Sequence, residues 1–345
     1  MLIAMKTTLH SALLALVLLF APATDAAAQQ PPTRGIVNIA PDLYRAQNDN
    51  HYTVFLVTPE GIIMSDPINR EFSTWLRSEM QTRFPNRPVR FVLYTHHDWD
   101  HASGGAVWAD TAQFVAHANF PQTLQVPDGN LALPENARKL DANGNGRLER
   151  GEARENLLTQ FTLLDANKDL ALSGGEIARG PLSDVFPPTI TYSADRHALT
   201  LGGKTVVMIA LGSAHAIDSS VLYFPSQRVA FSADIMQVKR LPGGVAPTVG
   251  AWLDAVRTIE KLDFDIAATG HALSGRKQDV VELRQYLEEL SVGVAAGIGA
   301  GRSLADIQKT LTLDKYKAWE RYDTNRTAHI AQVYATMMGT PAPTP

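Results

Sequence analysis

Between Tyr94 and Gly105 the chain reads YTHHDWDHASGG, which gathers His96, His97, Asp98, Asp100 and His101 into one short run. Imidazole and carboxylate are the side chains that hold divalent transition metals, so a cluster this dense behind an apolar stretch reads as a metal site. Three further residues stand at the ends of β-rich runs. LGSAHAIDSSVLYFP carries His215, VAFSADIM carries Asp234 and AATGHALSG carries His271. Singly, each reads as an ordinary surface, core or turn residue. His51, His117, His197 and His329 fit no motif and are read as ordinary surface or core histidines. With no cysteine in the chain, any metal must be held by His, Asp, Glu or carbonyl oxygen, and no disulfide braces the fold.

A second group is rich in oxygen ligands. LDANGNGRLERGE at Leu140–Glu152 reappears as LDANKDLALSGGE at Leu164–Glu176. In the first copy Asp141, Asn143 and Asn145 take positions 1, 3 and 5 of a calcium loop. Gly146 makes the sharp turn at 6, Arg147 offers its carbonyl at 7, and Glu149 and Glu152 stand at 9 and 12. The second copy has Asp165, Asn167 and Asp169, then Ala171 at 7, Ser173 at 9 and Glu176 at 12. Leu170 replaces glycine at position 6, which predicts a strained turn and a weaker site. Leu148 and Leu172 at position 8 are the apolar residues that pair two such loops. The repeat resembles a tandem EF-hand pair. Calcium is plentiful outside a cell, so a structural role is expected over a sensing one.

The elements that must position these residues alternate. TVFLVTPEGIIMSDP reads as a hairpin, REFSTWLRSEMQTRF as a helix with Phe72, Trp75, Leu76 and Met80 on one stripe, and PVRFVLYT as a strand buried on both faces. Beyond the repeat, ITYSADRHALTLGGKTVVMIAL reads as a hairpin, SSVLYFPSQRVAFSAD as two strands and VGAWLDAVRTIEKL as a helix. This is an α/β pattern over residues 35–275, interrupted by a small helical insertion at 136–180 and followed by a helical extension, 276–345. Apolar residues make up 45% of the chain and charged residues 19%, so a large core is expected. The net charge of -4 gives no basic footprint for nucleic acid and no polybasic membrane patch, leaving a small molecule as the expected partner. Residues 1–28, with Lys6, the apolar run ALLALVLLFA and an Ala-rich end, read as a signal for export to a periplasmic or extracellular space. The apolar run is too short to span a bilayer.

THHDWDH resembles the His-x-His-x-Asp-His signature of the metallo-β-lactamase fold superfamily, with His96, Asp100 and His101 matching and Asp98 standing where the second histidine belongs. The opening hairpin, His215, Asp234 and His271 follow in the family's order. The resemblance implies a four-layer αβ/βα sandwich with the EF-hand pair inserted in it. It also implies two divalent ions, normally Zn²⁺. His96, Asp98 and His215 would hold one, Asp100, His101 and His271 the other, with Asp234 bridging and Asp100 also the catalytic carboxylate. Such ions lower the pKa of a shared water and polarise the bond to be cut, so hydrolysis of an ester, lactone or lactam is expected. Asp98 makes Mn²⁺ or Fe²⁺ more competitive with Zn²⁺, or else leaves its site empty. His97 is one residue off register, and neighbours on an extended segment face opposite ways. Trp99 is expected to wall the pocket. Lys239, Arg240, Ser274, Arg276 and Lys277 are candidates to meet an anionic substrate group, surface solvation being the plainer role. Two alternatives keep the fold: an iron-dependent oxidoreductase and a non-catalytic calcium-binding protein.

Overall fold

The computed structural model describes residues 31–127 and 131–340; the expected export signal lies outside them. Thr33 onward forms one compact unit. Two β-sheets face one another. The first runs Arg34–Ala40, Leu43–Asn48, His51–Thr58, Gly61–Ser65, Val89–Leu93, Gln113–His117 and Ile190–Tyr192 in spatial order. Its first four strands are antiparallel neighbours and the remaining pairings are parallel. The second runs Arg196–Leu201, Lys204–Ala210, Ser220–Phe224, Val229–Ser232, Ile266–Thr269 and Gly275–Arg276.

The strand sequences explain the layering. Side chains alternate across a strand, and here both faces are apolar. Val54 and Leu56 point into the core between the sheets, whereas Phe55 and Val57 point outward onto the helix Arg70–Arg83. Ile63, Leu93 and Val115 face inward, and Ile62, Met64, Val92 and Phe114 outward. The second sheet mirrors this, with Leu222, Phe231 and Ala268 inward and Val221, Ala230 and Ala267 outward. Its outer face is covered by Val249–Glu260, Lys277–Gly299 and Tyr322–Met338, so the C-terminal helices share one core with the sheet they cover. The result is the expected helix–sheet–sheet–helix sandwich. Asn69 caps the first helix through a bond from the Phe72 N–H, and Phe72, Leu76 and Met80 are its buried stripe, with Trp75 half-buried.

The polar repeat sits apart, around its own small core of Leu148, Phe161, Leu164 and Leu172. Leu148 pairs with Leu172 in a two-stranded ribbon between the loops. Gly146 has φ 79° and Leu170 φ 68°, so the second loop does place a branched residue in the left-handed region. The segment that joins the two loops forms two short helices, Glu155–Thr159 and Phe161–Leu164, broken at Gln160. Glu155 adopts φ 49°, which starts the helix from a strained turn and shortens it. The chain leaves the repeat against the metal-cluster segment: Ser103 bridges Val185, and the Gly104 N–H donates to the Asp184 carbonyl at 3.0 Å.

His329 is fully buried in the C-terminal helical layer, bonded to the Tyr286 hydroxyl at 2.7 Å and near the Pro242 carbonyl at 3.2 Å. Burial pushes its pKa down to about 4. The unfolded chain binds this proton below about 6.5 and the folded chain only below about 4. Stability is therefore whole above that upper value and falls as pH drops through the window between them. The two values differ by roughly 2.5 units, a loss of about 3 kcal/mol. His329→Gln should flatten the dependence of denaturation midpoint on pH between about 6.5 and 4. A parallel pH profile for variant and parent would refute this assignment.

Candidate metal centre

The centre forms where strands of both sheets end, the place where open α/β sheets put their sites. Val89–Leu93 runs out through Tyr94 and Thr95 into His96, and Trp99–Ala102 is a single helical turn carrying Asp100 and His101. Asp98 stands at the N-cap of that turn, yet its side chain makes no capping bond; it turns instead to His96 and His215. His215 follows Lys204–Ala210, Asp234 follows Val229–Ser232 and His271 follows Ile266–Thr269. Two backbone bonds stitch the sheets here: the Ser220 N–H to the Thr95 carbonyl at 2.8 Å, and the Tyr52 N–H to the Gly270 carbonyl at 2.9 Å. Gly270 is required, because a Cβ there would lie 2.7 Å from the Ala233 backbone that leads into Asp234.

Asp234 is at the middle. One of its oxygens lies 3.1 Å from His96 Nε2, 3.0 Å from His101 Nε2 and 3.7 Å from His215 Nε2; the other lies 3.1 Å from His271 Nε2. Asp98 Oδ2 is 3.1 Å from His215 Nε2 and 3.5 Å from His96 Nε2. Asp100 Oδ2 is 3.6 Å from His271 Nε2 and 3.8 Å from His101 Nε2. The seven residues expected from the sequence are thus all brought together. Their atoms form two groups with metal-ligand spacing, His96 with His215 and Asp234, and His101 with Asp234 and His271.

The electrostatics fit cations. Burial disfavours charge on both His96 and His101, but Asp98 and Asp234 lift the first well above its ordinary value, and Asp234 with Asp100 lifts the second. Burial would raise Asp98 and Asp234, yet the facing imidazoles hold both well below the carboxylate range. His271 is lowered, chiefly by burial. His96 Nε2 and His101 Nδ1 are buried without a hydrogen-bond partner among the described residues. His96 Nε2 faces two carboxylates with no well-aligned hydrogen bond to either, so the donor set fits divalent cations.

Several neighbours differ from expectation. His51 is the principal correction: it was read as an ordinary histidine, yet its Nε2 lies 3.1 Å from Asp100 Oδ2, and it forms a third ligand-spaced group with Asp100 and His271. It opens the strand His51–Thr58, far from the cluster in sequence, and no spacing rule reaches it. His97, in keeping with its off-register place, turns away to the fully buried Asp218 carboxylate, 2.7 Å from its Nδ1. Trp99 is half-buried against the outer core of the first sheet, its side chain joining the packing under the helical turn. The ring beside the centre is instead Trp252, edge-on to His215 at 6.2 Å. Lys239 pairs with Glu282 and Asp279, Arg240 is buried between Gln237 and Glu320, and Lys277 donates to the Leu262 carbonyl. Ser274 and Arg276 line a cleft with Arg228 and Asp263 that includes none of the centre's residues.

A profile of the metallo-beta-lactamase superfamily matches residues 49–271. A curated relative, the 2,4-dinitroanisole O-demethylase subunit alpha of Nocardioides sp. (strain JS1661), is 24% identical over 251 residues, 72% of this chain and 58% of that protein. Among solved structures, the stereoselective inverting sec-alkylsulfatase Pisa1 from Pseudomonas sp. aligns with TM-score 0.62 and 14% identity, covering 90% of this chain and 52% of that one. A metallo-beta-lactamase from Pontibacter korlensis aligns with TM-score 0.51 and 16% identity, covering 74% of this chain and 99% of that one. The chain therefore spans little more than half the length of two of these proteins. With the profile covering well over half of the residues, the strand-end cluster in its order and the four-layer sandwich beneath it, the chain belongs to the metallo-beta-lactamase superfamily.

Proposed function

We propose that the protein is an exported hydrolase working with two divalent cations, one held by His96, Asp98 and His215 and the other by Asp100, His101 and His271, with Asp234 between them. The observation that carries this reading is the Asp234 carboxylate, approached by four imidazoles within 3.7 Å. When bound, such cations supply Lewis acidity and bring the pKa of a water from about 16 towards 7. The chain's own part is to fix the ligands at strand ends, to keep Asp98, Asp100 and Asp234 ionised, and to set the Trp252 edge beside His215. The substrate is an ester, lactone or lactam-type small molecule. Because one structural relative is a sec-alkylsulfatase, alkyl sulfates lead the test panel, followed by carboxylic esters, lactones and β-lactams. Elemental analysis of protein purified without added metal, with that panel, tests the reading. Two equivalents of Zn²⁺ or Mn²⁺ and chelator-sensitive hydrolysis are expected. No hydrolysis across the panel, with or without chelator, would leave the non-catalytic calcium-binding reading.

A second reading rests on Asp98, which supplies a carboxylate where the family has imidazole and suits a harder ion such as Fe²⁺. The O-demethylase relative is in keeping with other chemistry on this fold. Iron in the purified protein, with oxygen-dependent turnover, selects the iron-dependent oxidoreductase.

The repeat we assign to calcium as an EF-hand pair. Support comes from matched internal bonding. Glu152 accepts from the Ala142, Asn143 and Glu149 N–H groups, and Glu176 accepts from Ala166, Asn167 and Ser173 in the same pattern. Arg147 donates to Asp169 at 2.6 Å and to the Ala171 carbonyl at 2.8 Å, two oxygens that the second loop would offer calcium. Arg147 and Leu170 both make the first loop the tighter site. A site with Kd of about 10⁻⁵ M in about 1 mM calcium adds roughly 2.7 kcal/mol. For a chain of this length that is a rise in Tm of roughly 4 °C. Glu152→Gln should remove most of this rise and Glu176→Gln little of it. Equal losses, or a Tm indifferent to calcium, would count against the assignment.

A further inference from the structure

We infer that the start of the strand His51–Thr58, with Arg45 beside it, is a brace dedicated to the second cation position, in which His51 positions Asp100 and Arg45 positions His271. The inference rests on the two-cation reading above.

His51 Nε2 and Asp100 Oδ2 are 3.1 Å apart. The carboxylate is ionised, so the imidazole must donate, which fixes the His51 tautomer with its proton on Nε2. Its ring lies edge-on to that of His271, 4.7 Å between centroids. The next residue, Tyr52, donates its N–H to the Gly270 carbonyl at 2.9 Å. From the neighbouring strand, the Arg45 guanidinium donates to the Thr269 carbonyl at 2.8 Å and to the Ala272 carbonyl, so it grips the turn on both sides of His271. Arg45 is 7% exposed and has no carboxylate partner among the described residues; its guanidinium also meets the Thr269 hydroxyl at 3.5 Å and lies 3.5 Å from the centre of the Tyr52 ring. A buried arginine spent on two carbonyls and a ring is costly unless the turn it holds must not move.

The contacts are one-sided. They reach Asp100, His271 and, ring to ring at 5.9 Å, His101, all second-position residues. No hydrogen bond, ion pair or ring contact among the described residues joins His51, Tyr52 or Arg45 to His96, Asp98 or His215. Outer partners that orient metal ligands typically change metal affinity by about 10–100-fold. The brace therefore predicts a loss confined to one of the two equivalents.

Zn²⁺ titration of the full chain against a competing chelator reads the two equivalents separately, and Co²⁺ absorption reads their ligand fields. His51→Leu should weaken one equivalent by roughly 10–100-fold and leave the other within about twofold. His51→Gln, whose amide N–H can reach Asp100 from the Nε2 position, should recover part of the loss, which a purely space-filling role would not predict. Arg45→Met should weaken the same equivalent, with circular dichroism confirming the fold. If wild-type protein takes up two equivalents and His51→Leu binds both as before, or loses both alike, the brace is wrong and the two-cation reading stands. If wild-type protein takes up fewer than two, the two-cation reading falls and the brace falls with it.

Discussion

Asp234→Ala is expected to empty both metal positions at once and to lower turnover by more than the roughly 100-fold seen when outer-shell partners are lost. The reason is geometric. Asp234 offers one oxygen towards His96, His101 and His215 and the other towards His271. Among the described residues no other carboxylate meets imidazoles of both groups so closely; Asp98 reaches His96 and His215, and Asp100 reaches His101 and His271. Asp234 also supplies the negative charge against which the buried His96 and His101 are balanced. Removing it leaves two crowded imidazoles without their counter-charge, which costs stability as well as metal. Asp234→Asn separates the two effects, since it keeps the volume and removes the charge. Elemental analysis and turnover on whichever panel substrate the parent cleaves are the measurements. A variant that still holds two equivalents and works within about tenfold of the parent would sink the bridging assignment.

Asp98→His is expected to move the first position towards Zn²⁺. In the present chain that position has two imidazoles, His96 and His215, and two carboxylates, Asp98 and Asp234. Exchanging one hard oxygen donor for a nitrogen favours Zn²⁺ over Mn²⁺ and disfavours the oxygen-preferring ion. We expect the ratio of bound Zn²⁺ to Mn²⁺, in protein equilibrated with both, to shift by roughly tenfold or more, about 1.4 kcal/mol. The side chain at 98 is more than a third exposed, so a larger imidazole has room. Competitive loading followed by elemental analysis decides it; an unchanged ratio would mean that residue 98 does not ligate.

What could be read from the residues follows from which signals are local. The sandwich was legible because its strands are apolar on both faces: the Val54–Val57 run feeds two cores at once, and such runs survive in sequence as unbroken β-rich stretches. The seven centre residues could be named because the His96–His101 run, His215, Asp234 and His271 resemble a family's ordered motif, and the structure draws them together where the strands run out. His51 could not, because its approach to Asp100 depends on how the Leu43–Asn48 and His51–Thr58 hairpin lies over the strand end bearing the cluster, a tertiary fact with no trace in spacing. Trp99 and Trp252 exchanged roles for a related reason. A one-turn helix sends Trp99 down onto the first sheet's core, whereas Trp252 rises from a helix packed behind the second sheet to meet His215. The break at Gln160 is a local departure of that residue's own backbone, φ -98° and ψ 5°, which helix propensity does not foresee.

The centre is divided between the two sheets: His96, Asp98, Asp100 and His101 leave the first, while His215, Asp234 and His271 leave the second. Seen as polymer topology, any ion held there would be a crosslink between chain halves far apart in sequence. Closing that long loop costs the unfolded chain entropy, and a cation bound only by the assembled halves adds its binding free energy to their association. On the two-cation reading, metal starvation is expected to loosen the seam between the sheets as well as to silence turnover.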